Sequence, residues 1–283
     1  MTDALQRHLA SVVVPALVYL AAAAVLTWPL LRGLGTQVLT SGPFFHGDIL
    51  LVIWATTWSA YALTSAPLQL FDPPTFHPSR GVLAGSEHFV GTLPLFAPVW
   101  AATANPVLAF NATVLASLVL AGLGVHLLVR RWTGDPVAAY VAGLAFLVAP
   151  WRRLVLGTAP HVNAVAYLPF VLLWLDTAMR RGRMRAALLA AIALALQIAC
   201  SYYLGYVALA LVLSYVAADL LGAGWHGRAR LLGAAALALG GGLVLVAPVT
   251  LPYLAYVGAG RASVWPEEFQ YQEAFRSWAR VVG

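Results

Sequence analysis

Lysine is absent from this 283-residue chain: all sixteen basic residues are arginine. Charged residues make up 9% of it, too few to give a soluble domain of this size a hydrated surface. Cysteine occurs once, at Cys200 in an apolar stretch, which excludes a disulfide framework within the chain and leaves the redox compartment unread. His-Glu-x-x-His, a Walker loop, Gly-x-Ser-x-Gly and any cysteine pair are all missing, and with them the usual soluble-enzyme constellations. The arginine-only usage reads as codon bias of a GC-rich genome. The arginines punctuate apolar runs instead of clustering on one soluble face, so a nucleic-acid binder is excluded.

What the chain does have is hydrophobicity. A 61% share of hydrophobic residues and a mean hydropathy of +0.83 identify an all-α polytopic membrane protein. Apolar runs at about 9–31, 106–129, 136–150, 162–179, 186–200, 203–221 and 231–251 predict about seven transmembrane helices. The first is either a spanning helix or a signal peptide. Its long core, prolonged by Trp28-Pro29-Leu30-Leu31, favours an uncleaved anchor. Residues 1–32 form this N-terminal span and 33–105 a large first loop. Residues 106–252 form a helix bundle, and 253–283 an amphipathic tail. In the loop, the stretches 49–63, carrying Trp54, Trp58 and Tyr61, and 89–104, broken by Pro94 and Pro98, read as interfacial or re-entrant helices.

Arg7, Arg130-Arg131, the cluster from Arg180 to Arg185, and Arg228 with Arg230 fall on one side, which the positive-inside rule makes cytoplasmic, with the N-terminus. The loop 33–91, the loop 151–161, the Ser201-Tyr202-Tyr203 turn and the tail then lie on the outer face. That face collects Asp48, Asp72, His77, Glu87, His88, Arg152, Arg153, His161, Tyr202 and Tyr203. Asp48 heads an aromatic run at the membrane surface, where partial burial is expected to make it a useful base. Arg152-Arg153 breaks the positive-inside pattern. Guanidinium groups there suit a lipid phosphate, or else snorkel to the outer leaflet. Glu87-His88 has two readings: with Asp48 and His161 it offers oxygen and nitrogen ligands to a divalent metal, though no spacing demands one, or it caps the helix that begins near Phe89. His161 opens the next span and Tyr202-Tyr203 suits an aromatic belt. Asp176, four residues before Arg180, is expected to pair with it. Asn111-Ala-Thr113 matches a glycan acceptor only formally, inside an apolar span.

Gly47-Asp48-x5-Trp54, Phe76-His77-Pro78, Ser86-Glu87-His88, Asn105-Pro106-x3-Phe110-Asn111, Gly122-x-Gly124, Ala142-Gly143-x2-Phe146-x2-Ala149-Pro150-x-Arg152, His161 and Ser201-Tyr202-Tyr203 together resemble a bacterial group of GT-C superfamily membrane glycosyltransferases. The likeness covers about residues 40–255. It implies transfer of a sugar from a polyprenyl-phosphate donor to an acceptor at the outer face of the bacterial cytoplasmic membrane, with inversion. Asp48 would be the general base and Arg152 or Arg153 the phosphate clamp, with Glu87, His88, His161, Tyr202 and Tyr203 around the substrate. No cofactor is implied, and many members need no metal. Proteins of this group are usually longer, so a C-terminally truncated chain is expected. The alternative is a non-catalytic transporter or scaffold in cell-envelope polysaccharide assembly, whose partners would be the same lipid-linked sugar and the membrane.

Overall fold

Local signals in the chain place its helix ends, and the computed structural model follows them. It describes residues 2–75, 78–157, 164–222 and 225–258. Ten α-helices occur there: α1 Thr2–Leu26, α2 Pro43–Ser65, α3 Leu93–Thr103, α4 Pro106–Thr133, α5 Pro136–Leu147, α6 Pro150–Leu156, α7 Leu168–Arg181, α8 Met184–Cys200, α9 Tyr202–Gly222 and α10 Trp225–Gly258. No strand is present among the described residues. Proline stands at the first helical position of α2, α4, α5 and α6, where its missing N–H costs nothing. Asn105 caps α4 by accepting the Leu108 N–H at 2.9 Å, and Asp135 caps α5 through the Val137 N–H at 2.7 Å. Gly182 closes α7 in the left-handed region, at φ 63°.

Helices stand at all seven places where spans are expected, and three are long and apolar enough to cross a bilayer: 106–133, 202–222 and 227–256. The others are shorter or, in α1, have a shorter apolar stretch, 11–26. α5 has 12 residues and α7 has 14, about 21 Å of helix against a hydrocarbon layer of about 30 Å. α7 begins at Leu168 instead of near 162, and α1 ends at Leu26 instead of 31. The second difference has a local cause: Pro29 carries no amide hydrogen and disfavours helix in the residue before it. α10 runs past 252, so Tyr253 and Tyr256 belong to the bundle. The stretch expected to be re-entrant is an 11-residue helix, α3, led by a short 3-10 turn at Val90–Thr92.

Three large packed clusters, with a small fourth between α7, α8 and α10, make the interior of the described residues. One joins α7, α8, α9 and α10, one joins α2, α3 and α4, and one joins α1, α4 and α5. Leu17, Val25, Val137, Leu213 and Val244 remain exposed on the outside, as lipid-facing residues must in a chain with so little charge. Gly143 illustrates the closeness of the third cluster: a Cβ there would stand 2.3 Å from the Tyr19 hydroxyl oxygen.

The arginine-bearing helix ends meet. Arg131 of α4 and Arg180 of α7 both pair with Asp176, which is fully buried. The Tyr215 hydroxyl donates to Asp176 at 2.6 Å, and Arg180 reaches Asp219 at 3.4 Å. This network ties α4, α7 and α9 together and contains the expected pair of Asp176 with Arg180.

Candidate functional site

At the opposite end of the bundle, the loop before α3 is pressed onto the α8–α9 turn. Gly91 is what allows this. A Cβ at Gly91 would lie 2.1 Å from the Leu196 carbonyl oxygen and 2.5 Å from the Cys200 nitrogen, which no side chain tolerates. The close approach delivers Glu87 to the start of α9, where its Oε1 accepts the Tyr202 N–H at 2.6 Å and the Ser201 hydroxyl at 3.0 Å. Glu87 therefore caps α9, across more than a hundred residues, and not the helix near Phe89 that the sequence suggests. Three unpaired amide groups at a helix start and a favourable dipole make this a good seat for a carboxylate. Burial nevertheless pushes the Glu87 carboxyl up from its ordinary value, and the hydrogen bonds from Tyr202, Ser201 and Tyr203 pull the other way.

His88, beside it, is 1% exposed. Its Nδ1 accepts the Val90 N–H at 3.0 Å, which leaves the proton on Nε2, 3.3 Å from the Tyr202 hydroxyl. Phe71, Tyr202 and Tyr253 surround the ring with centroids 5.7–6.2 Å away, and the Ser59 hydroxyl donates to the His88 carbonyl at 2.7 Å. Desolvation drives the imidazole down to about 4, so it stays neutral. Tyr202 in turn donates to the Val249 carbonyl at 3.2 Å. Glu87, His88 and Tyr202 thus form one connected group, joined by Ser201 and Tyr253. Sequence reasoning missed Tyr253 because it fell in the assumed tail.

Arg152 sits in α6 with its side chain fully buried. Nε donates to the Phe146 carbonyl at 2.9 Å, and the guanidinium lies 4.6 Å from the Phe146 ring and 5.0 Å from Trp151. Among the described residues neither Nη1 nor Nη2 has a partner, which would be costly for a buried cation. The Tyr167 hydroxyl and the Gln197 Oε1 are likewise buried without a partner among the described residues. The Arg153 side chain, His161 and His77 lie outside the described residues.

Asp48 lies in α2 and is exposed, with no hydrogen bond or ion pair among the described residues. The partial burial expected of it is absent: Asp48 is exposed, whereas Ile49, next to it, is fully buried. What links it to Arg152 is backbone. Ser41, just ahead of α2, donates its N–H to the Gly157 carbonyl at 2.9 Å, at the end of α6. Asn111 fixes the approach by donating to the Leu34 and Gln37 carbonyls, both at 2.7 Å; it is buried and fully used, so its glycan motif is fortuitous. Asp72 is spent on the Gly81 N–H at 2.7 Å.

No group of three or more His, Cys, Asp or Glu residues able to hold a metal ion exists among the described residues, and Glu87 and His88 face separate partners. Tyr203 is 67% exposed, in keeping with an interfacial aromatic. Between α2, α3 and α4 lies a cavity of about 30 Å³, lined by Thr56, Thr92, Thr113 and Ser117 among apolar residues, with room for a single water.

The family model for the 6-pyruvoyl-tetrahydropterin synthase related domain, described as a membrane protein, matches residues 91–254. The chain belongs to this family. The matched stretch begins at the Gly91 contact and ends just past Tyr253, so it holds Arg152, Tyr202 and the α8–α10 core, whereas Asp48, Glu87 and His88 precede it. No curated protein and no solved structure matches the chain.

Proposed function

We propose that the chain is a GT-C-like glycosyltransferase of about seven transmembrane helices, which takes a sugar from a polyprenyl-phosphate donor at the outer face of the bacterial cytoplasmic membrane. Membership of the family makes it a membrane protein and assigns no reaction. The observation that carries the reading is Arg152: a buried guanidinium with two nitrogens that have no partner among the described residues, at the end of the bundle away from the arginine cluster. Such a group is stabilised by an anion that presents two oxygens at once, as a phosphate does.

Asp48 supplies the base. The acceptor hydroxyl loses its proton to the Asp48 carboxylate as its oxygen bonds to the anomeric carbon. The bond from that carbon to the lipid phosphate breaks, and the departing phosphate carries its new charge to Arg152. Configuration inverts because the two oxygens stand on opposite faces of the sugar. The Ser41–Gly157 hydrogen bond supports this pairing by holding the approach to α2 against the end of α6.

The test is transfer of radiolabelled sugar from a panel of polyprenyl-phosphate donors in membranes that contain the chain. Activity in the parent, lost on Asp48→Asn and reduced at least a hundredfold on Arg152→Gln, is the expected result, since removing one transition-state charge partner costs on the order of 10²–10³ in rate. Undiminished transfer by Asp48→Asn would exclude it as base. Donor binding without transfer in the parent would favour a lipid-linked sugar carrier or scaffold.

A further inference from the structure

At the arginine end, a groove of about 180 Å³ opens between the α7–α8 connection and the first third of α10. Arg183 and Arg230 stand at its mouth, and Met184, Ala187, Gly233 and Leu237 line its wall. The two arginines differ from those of the Asp176 network. Arg131 and Arg180 are consumed by Asp176 and Asp219, whereas Arg183 and Arg230 have no acidic partner among the described residues and both are exposed. The wall is apolar, with small side chains at Ala178, Ala187 and Ala234 between Met184 and Leu237. At Gly233 the space where a Cβ would stand is open, so the groove reaches the α10 backbone there and offers a shallow slot. From Arg230 to Leu237 it follows α10 for about 10 Å, from the charged helix ends into the apolar layer.

We propose that this groove binds one anionic phospholipid from the leaflet facing the arginine end, with its phosphate between Arg183 and Arg230 and the upper part of an acyl chain in the slot beside Gly233. Charge complementarity selects the headgroup. Two unpaired guanidinium groups at a membrane surface attract an anionic lipid and have no such preference for a zwitterionic one. The continuous apolar wall selects a lipid over a free anion, because a bare phosphate would leave the slot empty. The site lies at the other end of the bundle from Arg152 and Asp48 and is independent of the transfer reaction proposed above.

The full chain, purified in an uncharged detergent, is titrated with phosphatidylglycerol, with phosphatidylcholine of the same chains, and with inorganic phosphate. Retained lipid is counted by native mass spectrometry and the unfolding temperature is followed. Phosphatidylglycerol is expected to bind at least tenfold more tightly than phosphatidylcholine and to raise the unfolding temperature, while inorganic phosphate does neither. Removing each arginine should weaken it about fivefold, so Arg183→Gln with Arg230→Gln weakens it about 25-fold. Gly233→Leu fills the slot without touching the charge, favours the helix, and should also release the lipid; it decides the matter even if the double variant is poorly folded. Equal binding of the two lipids, full retention in the double variant, or an equal effect of inorganic phosphate would each overturn the proposal.

Discussion

The two ends of the bundle handle charge in opposite ways. At one end every buried charge is matched: Asp176, fully buried, takes Arg131, Arg180 and the Tyr215 hydroxyl. At the other, Glu87 is half-buried against neutral donors, His88 is held uncharged in an aromatic box, and Arg152 keeps two nitrogens without a partner among the described residues. The matched end is a structural clasp, and the unmatched end is where the donor phosphate proposed above would have something to supply.

The sharpest way to break the clasp is Asp176→Asn. It removes the charge that holds Arg131 and leaves Arg180 only its longer contacts with Asp219 and the Tyr215 hydroxyl, so stability in detergent should fall by about 4 kcal/mol, and α4, α7 and α9 should loosen together in hydrogen exchange. Next in size is Gly91→Ala. The added carbon strikes backbone atoms of α8 that cannot step aside, at an expected cost of about 3 kcal/mol. That variant also lifts Glu87 off α9. Thermal unfolding of the two variants, with exchange mapped by helix, shows whether the ends fail independently.

Much of this was legible in sequence. Composition and run length mark the membrane class, Pro106, Pro136 and Gly182 mark helix ends, and the spacing of Asp176 to Arg180 marks the pair. The convergence of Glu87, His88 and Tyr202 at one end followed from topology. Contact geometry did not. That Glu87 caps α9 and not its own neighbour depends on Gly91 meeting α8, a tertiary approach with no local signature. Tyr253 was hidden because the expected span stops just before Pro252, yet α10 continues through that proline as it does through Pro248. Asp48 looked half-buried from its aromatic neighbours, but Trp54 and Trp58 pack inward, one and two turns or more beyond it, while Asp48 itself faces out.

A smaller effect separates the two titratable neighbours at the unmatched end. His88 binds its proton less readily folded than unfolded, so stability is complete above its ordinary value of 6.5 and is lost as pH falls towards about 4. Glu87 is raised, so its contribution is present below its ordinary value of 4.5 and is lost as pH rises through the folded one. The slopes oppose each other where the two windows overlap. Each is limited to about 1.4 kcal/mol per pH unit, and the parent should vary less with pH there than a variant that keeps only one of the two groups. Glu87→Gln should expose a stability that rises with pH, and His88→Asn one that falls. Parallel profiles for the two variants would mean that the pair does not titrate as its surroundings require.

The least effect belongs to Asp219→Asn. The carboxylate is 3.4 Å from Arg180, whose side chain is 54% exposed, and Arg180 keeps Asp176 and Tyr215 without it. A half-solvated ion pair of this kind is worth about 0.5 kcal/mol and fades with salt. The same substitution in 0.5 M salt, a concentration about three times physiological, should be silent. Because Asp219 and Asp176 both contact Arg180, the comparison of their variants locates the centre of the clasp. A loss at Asp219 as large as that at Asp176 would move it from the buried carboxylate of α7 to the surface of α9, and the contrast between a matched and an unmatched end would no longer rest on burial.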